Sequence, residues 1–125
     1  MKKLENIFGD YKKALFSLKE GIAEAESELE IDGVIQRFEF TFELFWKLLK
    51  KNLEIEGILV NSPRSALKEV YAIQFLTQEE ILLKMLDDRN ETTHIYNKEM
   101  SREIFLRIKE QYIEIFDNVL NKIEI

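Results

Sequence analysis

The 125-residue sequence contains no cysteine, one histidine, one proline and four glycines. A His/Cys metal cluster is therefore excluded, and any imidazole that transfers a proton near neutral pH must be His94. The lack of cysteine fits a reducing compartment, and the basic start, Met1–Asn6, has no apolar run behind it, so we expect a cytoplasmic protein. No membrane segment is expected, because charged residues interrupt even the richest apolar segment, 38–49, well before the roughly 20 residues that a membrane helix needs.

The chain has few positive charges relative to its negative ones: 18 basic and 24 acidic residues give a formal net charge of −6. This balance argues against a protein that coats nucleic acid with its general surface, so a nucleic-acid role would have to be local. The length and the 46% hydrophobic content predict a single domain, residues 1–125, that folds around its own core.

So few breaking residues make long helices the default prediction. Apolar residues at steps of three and four predict a first helix over residues 4–29. Ile31–Gly33 interrupts that pattern, and Asp32 is the expected N-cap of a second helix. The second helix should end at Glu56, with Gly57 as the residue that follows its C-cap.

The second helix contains an alternating run that by itself would indicate a strand: Phe38, Phe40, Phe42 and Leu44. No turn residue interrupts residues 34–56, which is far too long for a strand, so we predict a helix. With Phe45 and Trp46 the apolar residues lie on nearly every side. This distribution predicts the most buried helix, with aromatic rings in the core rather than stacked on bases.

Three further helices follow from their start signals. Ser62 and Pro63 begin a short helix that ends near Ile73, and Thr77–Glu80 has the form of a capping box for the next. Asn97 can cap the last helix, which has an apolar stripe of Ile104, Ile108, Tyr112, Phe116 and Leu120. We therefore predict an all-α fold, an up-and-down four-helix bundle with one additional short helix.

The residues that could carry chemistry lie in the segment Asp87–Tyr96, around Arg89 and His94. On a regular helix Arg89 continues an inward apolar stripe, and Asn90 lies four residues before His94, close enough to orient the imidazole. Arg89 and His94 would lie roughly 140° apart on that helix. They would act on one ligand only if the helix frays near Thr93, or if two chains bring their copies together.

Such a pair suits metal-independent cleavage of a phosphodiester by the ribose 2′-OH. His94 would act as general base or acid, and Arg89 would neutralise charge on the phosphorane. A purely structural alternative stays open: Arg89 pairs with Asp87, Asp88 or a glutamate of a neighbouring helix, and His94 complements a helix dipole. A patch formed by Lys47, Lys50 and Lys51 could likewise meet RNA phosphates or simply be solvated.

The segment Arg89–Tyr96 resembles the Arg-x4-His-x-Tyr motif of HEPN domains. Arg37–Lys47, Asn61–Leu67 and Asp87–Asn90 resemble more narrowly the nucleotidyltransferase substrate-binding proteins. The resemblance covers residues from about Tyr11 to Leu120, and its separate motifs occur in the family's order.

This resemblance implies a homodimeric bundle whose partner is a separately encoded minimal nucleotidyltransferase. In related pairs the HEPN protein is an endoribonuclease toxin, which the partner neutralises by attaching AMP to the motif tyrosine. Carried over, Arg89 and His94 would be catalytic, Asn90 supporting and Tyr96 the modified residue, with RNA as substrate and no cofactor or metal. The alternative is a non-catalytic substrate-binding subunit of a two-component nucleotidyltransferase.

Two expectations concern the chain on its own. It lacks the Gly-Ser and paired-Asp residues with which nucleotidyltransferases hold nucleotide and Mg²⁺, so we expect no nucleotide transfer without a partner. Tyr96 precedes the predicted cap Asn97, and we expect its hydroxyl to face solvent. The alternative is a ring packed over the turn between the helices.

Overall fold

A computed structural model describes residues 2–94 and 97–123, which contain α-helices, one 3₁₀ turn and no strand. The first four helices are α1 (Lys2–Glu24), α2 (Glu28–Ile55), α3 (Pro63–Ala72) and α4 (Glu79–Glu91). A 3₁₀ turn, Thr92–His94, follows α4. Helix α5 (Lys98–Arg107), a π-helical turn (Ile108–Tyr112) and α6 (Ile113–Lys122) then run as one continuous helix. The all-α prediction is confirmed, and none of these helices is long and apolar enough to cross a membrane.

Helix α2 is the centre of the bundle and packs against α1, α3, α4 and α5. Phe38, Phe42 and Phe45 are buried in the core, as predicted, whereas Trp46 is only partly buried and Phe40 is 63% exposed. The alternating run lies within one continuous helix, which confirms the helix prediction. Phe45 is fully buried, with ring centroids 6.4 Å from Tyr11 and 5.0 Å from Phe116. The Tyr11 hydroxyl donates a hydrogen bond of 2.6 Å to the Phe116 carbonyl, which ties α1 to α6.

The boundary between the first two helices lies earlier than predicted. Helix α1 ends at Glu24 and α2 begins at Glu28, so the expected break at Ile31–Gly33 was wrong and Asp32 is not an N-cap. Ser27 is the N-cap, because its hydroxyl accepts from the Glu30 N–H at 3.2 Å while the Glu30 carboxylate accepts from the Ser27 N–H at 2.9 Å. Two satisfied backbone donors outweigh the local cost of Gly33 inside a helix.

The other predicted helix ends are confirmed with one exception. Gly57 has a φ of 83°, Ser62 caps α3 through Ser65, and Asn97 caps α5 through the Met100 N–H. The capping box expected at Thr77–Glu80 is wrong, since the N-cap of α4 is Gln78 and its side chain makes no capping hydrogen bond.

The π-helical turn was not predicted, although the sequence carries a signal for it. The apolar stripe of the last helix repeats at uniform steps of four, which on a regular helix would drift about 120° between Ile104 and Phe116. The Ile113 N–H instead bonds the Ile108 carbonyl, a wider turn that absorbs the drift. Ile104, Ile108, Tyr112 and Phe116 are consequently all buried.

Candidate functional site

The candidate site lies where α4 ends, and the residues 89–94 are referred to here as the motif turn. Helix α4 stays regular through Glu91, and the backbone then tightens into the 3₁₀ turn Thr92–His94. The separation of about 140° between Arg89 and His94, which was expected for a continuous α-helix, therefore does not apply. Threonine side chains bond two carbonyls at this end: Thr92 Oγ1 donates to the Arg89 carbonyl at 2.6 Å, and Thr93 Oγ1 to the Asn90 carbonyl at 3.3 Å.

Arg89 lies between α4 and α2, and its side chain is 33% exposed. Its Nη2 donates to Glu43 Oε2 at 2.9 Å, and its guanidinium carbon is 5.8 Å from the centroid of the Phe42 ring. The expected inward direction is thus observed, and so is the pairing with a glutamate of a neighbouring helix. Glu43 also meets Lys47 at 3.3 Å, and Lys51 meets Glu54 at 3.1 Å, so two of the three patch lysines are in ion pairs within α2.

Asn90 and His94 are both exposed. Asn90 Oδ1 accepts a hydrogen bond from Arg89 Nη1 at 3.4 Å, so the amide supports the guanidinium. Orientation of the imidazole by Asn90 stays a prediction. Tyr96, the expected modification site, lies outside the residues that the structure describes.

Asp88, next to Arg89, is the buried charge of this region and is only 2% exposed. Arg107 approaches it with two nitrogens, Nε to Oδ2 at 2.6 Å and Nη2 to Oδ1 at 2.8 Å. The Tyr112 hydroxyl also donates to Oδ2, and Lys84 Nζ lies 3.9 Å from Oδ1. Arg107 directly precedes the π-helical turn and Tyr112 ends it.

Burial and hydrogen bonding shift the pKa values of Arg107 and Tyr112, the two residues that donate to Asp88. The hydrogen bond to Asp88 raises the pKa of Arg107, although its partial burial acts in the opposite direction. Burial, reinforced by the hydrogen bond to Asp88, raises the pKa of Tyr112 well above its ordinary value of 10.0. Both donors therefore keep their protons throughout the neutral range.

A groove of about 530 Å³ lies beside the motif turn, between the first turns of α2 and the start of α5. Thr92 and Asn97 line it on the motif side, and Glu28 of α2 forms ion pairs with Lys98 at 3.2 Å and Arg102 at 3.5 Å, both on α5. Its other charged linings are Asp32 and Glu39. One chain alone therefore presents a groove of mixed charge rather than a basic channel.

Among residues 2–94 and 97–123, no group of three or more His, Cys, Asp or Glu side chains is arranged to hold a metal ion. What the described side chains offer is one partly shielded guanidinium and one exposed imidazole on consecutive turns. Glu43, Arg107 and Tyr112 were missed as members of this region, because each meets its partner across 19 to 46 positions of sequence. The sequence offered one signal for Tyr112: the uniform four-residue spacing of the apolar stripe, which a regular α-helix could not keep on one face.

Comparisons with known proteins agree with this fold. The chain is similar to a solved structure from Thermus thermophilus, with 39% identity, 90% of this chain and 97% of that one covered, and a TM-score of 0.83. A Haemophilus influenzae structure, described as the fold of a substrate binding domain of a nucleotidyltransferase, matches at 21% identity with a TM-score of 0.68, covering 97% of this chain and 96% of that one.

A curated relative is named "Probable ribonuclease HepT" of Haemophilus influenzae and is 28% identical over 89 residues. That match covers 67% of this chain and 61% of the relative. Residues 6–125 match the family described as "Nucleotidyltransferase substrate binding protein like". Because this match takes in nearly the whole chain, the protein belongs to the nucleotidyltransferase substrate binding protein-like family.

Proposed function

We propose that this protein is a metal-independent endoribonuclease of the HEPN type that works as the partner of a minimal nucleotidyltransferase. The observation that carries the proposal is the arrangement of Arg89 and His94. Glu43 and Asn90 hold the guanidinium at the end of α4, while the imidazole is exposed on the turn that follows. The name of the Haemophilus relative, a probable ribonuclease, supports the same class of activity.

In the proposed reaction the ribose 2′-OH is the nucleophile. An imidazole takes its proton, the 2′ oxygen attacks phosphorus, and the bond to the 5′ oxygen breaks as that oxygen gains a proton. The products are a 2′,3′-cyclic phosphate and a 5′-hydroxyl. Arg89 neutralises the charge that builds up on the phosphorane, and no metal takes part in the step.

The direct test is RNA cleavage by the purified chain in EDTA, with tRNA among the substrates. Cleavage should be lost in Arg89→Ala and in His94→Ala, while both variants keep the wild-type circular dichroism spectrum. Arg37→Ala is the matched control, because that guanidinium bonds the Ser17 carbonyl on α1 and lies outside the motif turn. Absence of cleavage by the wild-type chain on every RNA tested would refute the ribonuclease proposal.

The active form in this proposal is a homodimer. Each chain supplies one imidazole, whereas the reaction needs a base and an acid, and the groove of a single chain has mixed charge. Two motif turns brought together would supply both proton carriers and concentrate two arginines on an acidic protein. Light scattering should report a dimer at micromolar concentration, and a monomer under those conditions would contradict this part of the proposal.

Regulation by the partner is assigned to Tyr96. A phosphodiester-linked AMP two residues from His94 would add bulk and negative charge, block access and compete for the Arg89 guanidinium. Incubation with the nucleotidyltransferase, ATP and Mg²⁺ should attach AMP to the tyrosine oxygen of the wild-type chain with release of pyrophosphate, and should not modify Tyr96→Phe. Tyr71→Phe, which changes a half-buried tyrosine of α3, is the control, and unchanged labelling of Tyr96→Phe would show that the wrong residue was assigned.

One observation favours a second function, a non-catalytic subunit that binds substrate for the nucleotidyltransferase. Arg89 is already paired with Glu43, so an RNA phosphate would have to compete with a carboxylate for the guanidinium. A binding subunit needs no free guanidinium, and the family description fits it. Nucleotide transfer that requires both proteins, together with no RNA cleavage by this chain, would establish this alternative. Transfer of label from ATP by this chain alone would contradict both proposals.

A further inference from the structure

Asp88 differs from the other acidic residues near the motif turn because it is buried and has three close donor contacts. Arg107 supplies two nitrogens and Tyr112 its hydroxyl. The neighbouring Asp87 is exposed, and its ion pair with Arg64 is long at 3.8 Å. Asp88 and Arg89 are consecutive, so their side chains leave α4 about 100° apart. One points to the α5–α6 helix and the other to α2.

The π-helical turn is what lets both donors reach one carboxylate. Arg107 and Tyr112 are five residues apart, and on a regular α-helix their side chains would diverge by about 140°. The Ile113 N–H bonds the Ile108 carbonyl five residues back, which widens this turn and brings the two side chains to the same side. Such wide turns are rare and occur often at functional sites.

We infer that Asp88 is a positioning residue: with Arg107 and Tyr112 it forms a clamp that fixes the last turn of α4, and thereby the direction in which Arg89 is presented. The inference rests on the proposed function, because it assigns the clamp to the ribonuclease motif. Asp88 ties the end of α4 to one helix and the Arg89–Glu43 pair ties it to another. With two consecutive residues held on different sides, the end of α4 can neither rotate nor fray without breaking a charged contact.

Stability alone does not account for this choice of residues. Well-packed apolar side chains of similar volume commonly stabilise a protein as well as a buried ion pair does. A carboxylate with a bidentate arginine and a phenol adds directional contacts that an apolar cluster lacks. Orientation is what a neighbouring catalytic guanidinium needs, since small misplacements of such groups lower rates steeply.

The chain provides a matched pair of variants for the test, Tyr112→Phe and Tyr11→Phe. Each removes one interhelical hydrogen bond from a fully buried tyrosine, but only Tyr112 contacts Asp88. Amide hydrogen exchange of residues 89–94 should become roughly tenfold faster in Tyr112→Phe and stay unchanged in Tyr11→Phe. Asp88→Asn should have a larger effect of the same kind, and if that variant does not fold, the tyrosine pair still decides.

Kinetics on RNA distinguish positioning from a general loss of stability. Tyr112→Phe should lower kcat roughly tenfold with KM unchanged, because Arg89 acts in this proposal on charge that develops only in the transition state, and Tyr11→Phe should match the wild type. Equal exchange rates at the motif turn in the two phenylalanine variants would overturn the clamp. If the wild-type chain cuts no RNA, the ribonuclease proposal fails, while the exchange measurement still decides whether Asp88 fixes this turn.

Discussion

The aromatic core beneath α2 and the end of α4 are held together by different forces. Around Phe45 the contacts are ring against ring, with Tyr11, Phe42 and Phe116 all buried. At the end of α4 the contacts are between charges, Asp88 with Arg107 and Arg89 with Glu43. Apolar packing is nondirectional and tolerates rearrangement, whereas charged hydrogen bonds require defined angles. The first region supplies stability, and the second fixes the directions of two consecutive side chains, Asp88 and Arg89.

The largest effect should come from the core. Phe45→Ala should lower the free energy of unfolding by about 3–5 kcal/mol, because it removes a buried ring and leaves a cavity. Phe40→Ala, on the same helix but 63% exposed, should change it by less than about 0.5 kcal/mol. Urea denaturation followed by circular dichroism measures both, and equal losses would contradict the described orientation of α2.

Breaking the ion pair at the end of α4 should have the next largest effect. Arg107→Met leaves Asp88 buried without its bidentate partner, and we expect a loss of about 2–3 kcal/mol, below the range for fully buried pairs because Arg107 is partly exposed. Lys19→Met is the control, since its ion pair with Asp117 also joins two helices but is exposed and should contribute less than about 1 kcal/mol. Similar losses in the two variants would remove the distinction between the regions.

The hydroxyl of Tyr112 should contribute a smaller, pH-dependent amount. Burial raises its pKa above the ordinary 10.0, so the folded state favours the neutral phenol; the contribution is fully present below pH 10.0 and is lost as the pH rises toward the folded-state pKa. Tyr112→Phe should be about 1.5 kcal/mol less stable than the wild type at pH 7. The difference between the two proteins should shrink above pH 10.0 in urea denaturation. A difference independent of pH would contradict the assignment.

The smallest effect should come from Glu43→Gln. Both partners of the Arg89–Glu43 pair are about one-third exposed, so we expect a loss of about 0.2–1 kcal/mol at low salt. High salt should abolish that loss by screening, and Glu54→Gln, which breaks the exposed pair with Lys51, should behave alike. A loss that persists in high salt would indicate that the pair is held more like the clamp at Asp88.

The sequence by itself determined the helical class, the central position of α2 and most helix ends. These follow from local rules: apolar spacing, Ser62 before Pro63, Gly57 at a positive φ and the Asn97 cap act within a few residues. The break predicted at Ile31–Gly33 was wrong because two local signals compete there, and the Ser27–Glu30 capping box is the stronger. The segment from Arg89 to His94 was likewise singled out from the sequence alone, and its role stays a prediction.

Only the tertiary structure decided which charges meet. Glu43 lies 46 positions before Arg89, and Arg107 lies 19 after Asp88, so no local pattern distinguishes them from the other charged residues of the chain. Which charged residues form pairs depends on how α2, α4 and the α5–α6 helix pack, and on the π-helical turn that rotates Tyr112 toward Asp88. Apolar burial is encoded by periodicity along one helix, whereas a directional contact between distant helices exists only once their packing is fixed.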